Sequence, residues 1–112
     1  MKRVLIIKNS WIAKLAAFYL NENKMAITIG DRIYLFEATT KQFLENEKWL
    51  CHELTHVKQF QKFGKFKFVF LYLFESIKKG YHNNKFEIEA RANENNNEIL
   101  KEFEIVLNKN HK

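Results

Sequence analysis

His52-Glu53-Leu54-Thr55-His56 is the stretch that decides how this chain reads. On a helix, residues four apart sit one turn apart on the same face. Two imidazoles so placed can hold one zinc ion, at about 2.0–2.1 Å from each nitrogen. A glutamate directly after the first histidine falls on the side where a water would sit. Glu53 could take a proton from that water and pass it on. Order and spacing both matter to this chemistry, which gives the HExxH pattern its specificity. The surroundings agree with it. Leu50, Leu54, Val57 and Gln61 keep a 3.6-residue beat, and Phe43 and Phe60 add apolar surface. The pattern predicts one long helix from about Thr40 to Phe63, with Thr39-x-x-Gln42 as a capping box and Gly64 as its stop.

Outward from that helix, the chain alternates strand and helix signals. Arg3 to Ile7 reads as a short buried strand, and Ser10 can cap a helix over Trp11 to Leu20. The expected buried face of that helix is Ile12, Leu15, Ala16 and Tyr19. Met25 to Ile29 and Arg32 to Phe36 read as two strands joined by a tight turn at Gly30-Asp31. Lys65 to Lys79 predicts a helix ended by Gly80. Lys85 to about Asn108 predicts a final helix, with Ile88, Ala92, Ile99, Phe103 and Val106 as its apolar stripe. At 112 residues, one α+β domain over 1–112 is the expected organisation.

Composition narrows the classes. Hydrophobic residues make up 46% and aromatics 15%, with eleven Phe, enough for a packed core and against disorder. The formal net charge is +6, but the lysines are spread along the chain, so no specific nucleic-acid partner is expected. The densest run, Lys58 to Lys67, interleaves Lys with Phe and could contact an anionic surface. Cys51 is the only cysteine and points about 100° away from its neighbour His52, so it reads as a packing residue. No apolar run reaches about 18 residues, and Lys8-Asn9-Ser10 breaks the one stretch that begins like a signal peptide. A cytoplasmic protein without a transmembrane segment is the expectation.

A catalytic zinc usually takes three protein ligands and keeps one position open. Downstream lies Phe86-Glu87-Ile88-Glu89-Ala90, where the chain resembles the gluzincin metallopeptidases. In that class a Glu on a second helix completes the site, and many members show Glu-x-x-Ala. The resemblance favours Glu87 as the third ligand, with Glu89 as its rival. The two lie about 200° apart on a helix and cannot both face one metal. A wider resemblance covers most of the chain. Trp49 to Gln59 and Gly80 to Ala90 look like the two motifs of small HExxH domains related to the core domain found with extracellular contractile injection systems. Size and motif order are also similar to the minigluzincins. The resemblance implies a small zincin-like fold, with a short twisted sheet, an HExxH active-site helix and a C-terminal glutamate helix. Relatives often carry Asp after the Ala of the glutamate helix, where it anchors a ligating His through its second nitrogen. This chain has Arg91, so another acceptor must serve or the site binds metal weakly.

The expected function is that of a zinc-dependent metallopeptidase acting on a peptide or protein substrate. His52, His56 and Glu87 would hold zinc, and Glu53 would be general base. Tyr81, with His82 and Tyr72 as rivals, would be donor to the developing oxyanion. The alternative is a zinc-bearing binding module without turnover. Glu75 is expected to make a surface pair with Lys78 or Lys79. Zincins typically lay their substrate beside an edge strand, so one strand of the Met25 to Phe36 hairpin should border the cleft. The resemblance to latent minigluzincins further suggests that the tail, Lys109-Asn110-His111-Lys112, could fill the open metal position.

Overall fold

From Val4 onward, every second residue of Lys2–Ile7 is buried, as a strand covered on one face requires. The computed structural model describes residues 2–8, 10–20 and 23–107. In it this strand, β1, lies inside a four-stranded sheet with β2 (Met25–Ile29), β3 (Arg32–Phe36) and β4 (Phe103–Leu107), in the order β2-β3-β1-β4. β2 and β3 form an antiparallel hairpin, in which Met25 pairs with Phe36 and Ile29 with Arg32. Gly30 takes a φ of 66° at the first of the two turn positions, a conformation glycine reaches without steric cost. β1 runs parallel to both of its neighbours.

The helices are α1 (Trp11–Leu20), α2 (Thr40–Glu45), α3 (Glu47–Phe63), α4 (Lys65–Lys79) and α5 (Lys85–Ala92), with a 3-10 turn at Asn97–Glu102 before β4. The long helix expected from Thr40 to Phe63 is two helices. Asn46 ends α2 and caps α3, its side chain accepting from Trp49 N at 3.1 Å. The capping box at Thr39 and Gln42 is formed. α3 covers one face of the sheet. Its Leu50, Cys51, Leu54 and Val57 join Val4, Ile6, Ile33, Leu35, Phe43 and Phe103 in one core. Leu54 and Val57 are fully buried, worth about 1.5–3 kcal/mol each. Cys51 belongs to this packing.

Two further expectations fail. α1 packs on β2 and β3, but its buried residues are Ala13 and Ala17, while Leu15 is exposed. Small side chains let a short helix approach the sheet closely, and Trp11, Leu15 and Phe18 are left exposed. The final helix also stops at Ala92, because the Asn-rich run after it forms a turn. Phe103 to Leu107 then makes a parallel strand against β1, with Phe103 buried and Glu104 exposed. Ile88 and Ala92 of the expected stripe are exposed, and α5 buries Phe86, Glu87 and Ala90 instead. The tail from Lys109 to Lys112 lies outside the described residues.

Candidate metal centre

α3, α4 and α5 are held together by an aromatic knot. Phe60, Phe68 and Phe86, one from each helix, are buried against one another, with ring centroids 4.6 Å apart for Phe60–Phe68 and 4.9 Å for Phe68–Phe86. The start of α5 is also tied to α4. Asn84 caps α5 by accepting from Phe86 N at 2.8 Å. Its Nδ2 donates to Tyr72 O and Ser76 Oγ. Glu75, expected on the surface, is instead buried and accepts from Lys85 N at 3.1 Å, with Lys79 Nζ 3.7 Å away. These contacts fix Glu87 in the first turn of α5, where the helix dipole favours a carboxylate.

Glu87 meets both histidines of the motif. Its Oε1 lies 3.0 Å from His52 Nε2 and its Oε2 lies 3.2 Å from His56 Nε2. Tyr72 donates its hydroxyl hydrogen to the same Oε2. Ligand atoms of all three residues lie within 4.8 Å of one another. The other nitrogen of each ring is occupied. His52 Nδ1 lies 2.8 Å from Glu94 Oε2, and His56 Nδ1 donates to Gln59 Oε1 at 2.8 Å. The direction of the second bond follows from Gln59 itself. Its Nε2 donates to Phe86 O and to Glu89 Oε1, so its Oε1 can only accept from His56.

This pattern is a test of fit for a cation. With Nδ1–H donating, a neutral His56 turns a lone pair at Nε2 toward a Glu87 oxygen, which also carries lone pairs. His52 has a carboxylate at each ring nitrogen, so one of its two contacts is opposed in the same way whichever tautomer it takes. A positive charge relieves this, either a proton on the imidazole or a metal ion. The charges around the metal-free cluster act in the same direction. Burial works to lower the His56 pKa, but the hydrogen bond to Glu87 and the charges of Glu53 and Glu87 outweigh it and lift it from 6.5 to about 9. His52 is raised against its burial by Glu87, Glu53 and Glu94. Glu87 is held well below the usual carboxylate range; burial opposes this, and the hydrogen bonds from both histidines prevail. Tetrahedral ligands at about 2.0–2.1 Å from zinc stand about 3.3 Å apart, close to the separations found here. His52, His56 and Glu87 could therefore hold a metal ion.

Glu53 is buried next to this group. Its Oε1 accepts from Thr28 Oγ1 of the edge strand β2 at 2.7 Å, and its burial raises its pKa. A cleft of about 530 Å3 opens onto His52 and Glu53, and its walls include Met25 and Ala26 of β2, Trp49, Tyr81 and Glu94. An edge strand of the hairpin thus borders the site. Tyr81 shares the cleft, and Tyr72 donates to Glu87. Arg91 donates to His82 O at 2.6 Å, pinning the segment beside Tyr81. Glu89 faces Gln59 rather than the histidine Nε2 atoms.

The acceptor absent at Arg91 is supplied by Glu94, three residues on, for His52, and by Gln59 for His56. Neither role, nor that of Thr28, was read from sequence. Gln59 stands three residues after His56 on one helix face, so that spacing was an available signal. Glu94 follows the end of α5 and Thr28 lies on a distant strand, and no periodicity points to either.

The fold and site define a small α+β protein with a candidate metal-binding group of two histidines and a glutamate. Residues 16–64 match the family model of the eCIS core domain, so this part of the chain is similar to that family. The matched segment carries His52, Glu53 and His56 and ends before Glu87. No curated protein and no solved structure matches the chain. No helix of the described residues is long and apolar enough to cross a membrane.

Proposed function

We propose that the chain is a zinc-dependent metallopeptidase of the gluzincin type, acting as one zincin-like unit on a peptide or protein substrate. The observation that carries this reading is the Nε2–carboxylate opposition in the His52–His56–Glu87 cluster, with Glu53 beside it in an open cleft. His52, His56 and Glu87 would hold the zinc. Bound zinc supplies Lewis-acid polarisation of a carbonyl oxygen and of water. Glu53, with its pKa raised by burial and one oxygen held by Thr28, is poised to take a proton from water and deliver it to the leaving amine. β2, at the sheet edge, offers backbone pairing to an extended peptide. Tyr81, which lines the same cleft, would be the donor to the developing oxyanion.

A second reading is a zinc-bearing binding module without turnover. It is favoured by the direct pairing of both imidazoles with Glu87, which lets the cluster serve the fold by itself. Glu53→Ala separates the two. The peptidase variant keeps zinc and loses cleavage of a peptide library. If zinc-loaded wild-type protein cleaves nothing in broad libraries, the peptidase reading fails and the module remains.

A further inference from the structure

Helix α4 has two unlike faces. Phe68, Tyr72 and Glu75 turn inward, to the aromatic knot, to Glu87 and to the start of α5. The opposite face carries Phe66, Val69, Phe70, Leu73, Phe74 and Ile77, with exposures from 39% at Val69 to 88% at Phe66. At about 100° per residue the six span a stripe about 140° wide. They present roughly 700 Å2 of apolar surface, beyond the largest patch of a typical monomer, about 300–600 Å2. Half of the exposed large apolar side chains among the described residues are on this one helix, so the exposure is not random scatter.

The charges around the stripe have one sign. By helical position Lys67 and Lys78 flank one side and Lys65 the other, while Lys79 is drawn toward Glu75 at 3.7 Å. Glu75, the sole acid of α4, is turned inward. Lys58 pairs with Glu102 at 3.2 Å, so the first part of the Lys58–Lys67 run is withdrawn from such a surface. An apolar stripe rimmed by cations suits a helix lying in the plane of a bilayer interface. The rings enter the acyl boundary and the ammonium groups reach the headgroup phosphates. Protein–protein interfaces are depleted in Lys, which argues against a protein as occupant. α4 is about 22 Å long, too short to span a bilayer of about 30 Å.

We propose that the outer face of α4 is a membrane-binding surface selective for anionic lipid headgroups. The same helix donates from Tyr72 to Glu87, so docking would hold the metal cluster about one helix diameter, on the order of 10 Å, from the bilayer.

The test is co-sedimentation of the full chain with vesicles of phosphatidylcholine alone and of phosphatidylcholine mixed with phosphatidylglycerol. The protein should pellet with the anionic vesicles, weakly with the neutral ones, and less as salt is added. Phe70→Ser should weaken binding about ten- to thirtyfold and Lys67→Ala about fivefold, with melting temperatures unchanged because both sites are exposed. Absence of pelleting, equal pelleting with neutral vesicles, or wild-type binding by Phe70→Ser would overturn the proposal. So would a dimer in sedimentation velocity that Phe70→Ser dissociates, since the face would then be an interface between copies.

Discussion

Glu94→Ala should cut zinc affinity by about 10- to 100-fold, the range for losing a partner of a ligating histidine. His52 Nδ1 lies 2.8 Å from Glu94 while Nε2 faces Glu87, so with metal at Nε2 the Nδ1–H donates to Glu94. Without Glu94 the ring loses its fixed orientation, and the imidazole loses a charge that strengthens it as a donor to metal. The loss corresponds to about 1.4–2.7 kcal/mol. The Glu94 side chain is 33% exposed, so solvent screens part of its charge, which places the effect nearer the lower bound. Glu94→Gln keeps an acceptor oxygen and should lose less. Glu89→Gln is the control. Its carboxylate reaches His56 only through Gln59, so the change should stay within about threefold. Competition against a chromophoric chelator at fixed pH measures all three. Wild-type affinity in Glu94→Ala, or a larger loss in Glu89→Gln, would refute the assignment.

Further outcomes follow from the same geometry. In chelated protein, His56 rises on folding from 6.5 to about 9, so its contribution is full below pH 6.5 and is lost as pH climbs through about 9. Glu87 is lowered, so its contribution is present above its ordinary 4.5 and is lost as pH falls. The metal-free melting temperature should therefore be highest between pH 4.5 and 6.5 and decline toward 9, while zinc-loaded protein shows no such alkaline decline. Parallel alkaline curves with and without zinc would contradict the pairing. Thr28→Val removes the donor to buried Glu53 and should cost about 1–3 kcal/mol in denaturant unfolding, with zinc affinity little changed. Tyr81→Phe should lower kcat by about 100- to 1,000-fold at unchanged zinc content if Tyr81 serves the oxyanion; full activity assigns that role elsewhere.

The metal-facing half of the site was legible because it is local. His52, Glu53 and His56 share one helix, and their spacing encodes their common face. Strands and helices with sharp punctuation were legible too, as at Gly30, Gly64 and Gly80. The rest depended on tertiary placement. β4 looked helical because Ile99, Phe103 and Val106 fit a helical stripe, yet Phe103 to Leu107 is claimed by the open side of β1. The break at Asn46 was hidden because apolar spacing continues across it while the backbone does not. Between Glu87 and Glu89 the helical stripe could not choose. The aromatic knot around Phe86 does, by turning Glu87 inward and leaving Glu89 to Gln59.

A metal-soaked crystal structure with anomalous diffraction at the zinc edge tests the central claim most directly. A single strong peak per chain is expected, within bonding distance of His52 Nε2, His56 Nε2 and a Glu87 oxygen, with Nδ1 of the two rings still held by Glu94 and Gln59. A zinc-soaked crystal with no peak there, and with both imidazoles still paired to Glu87, would contradict it.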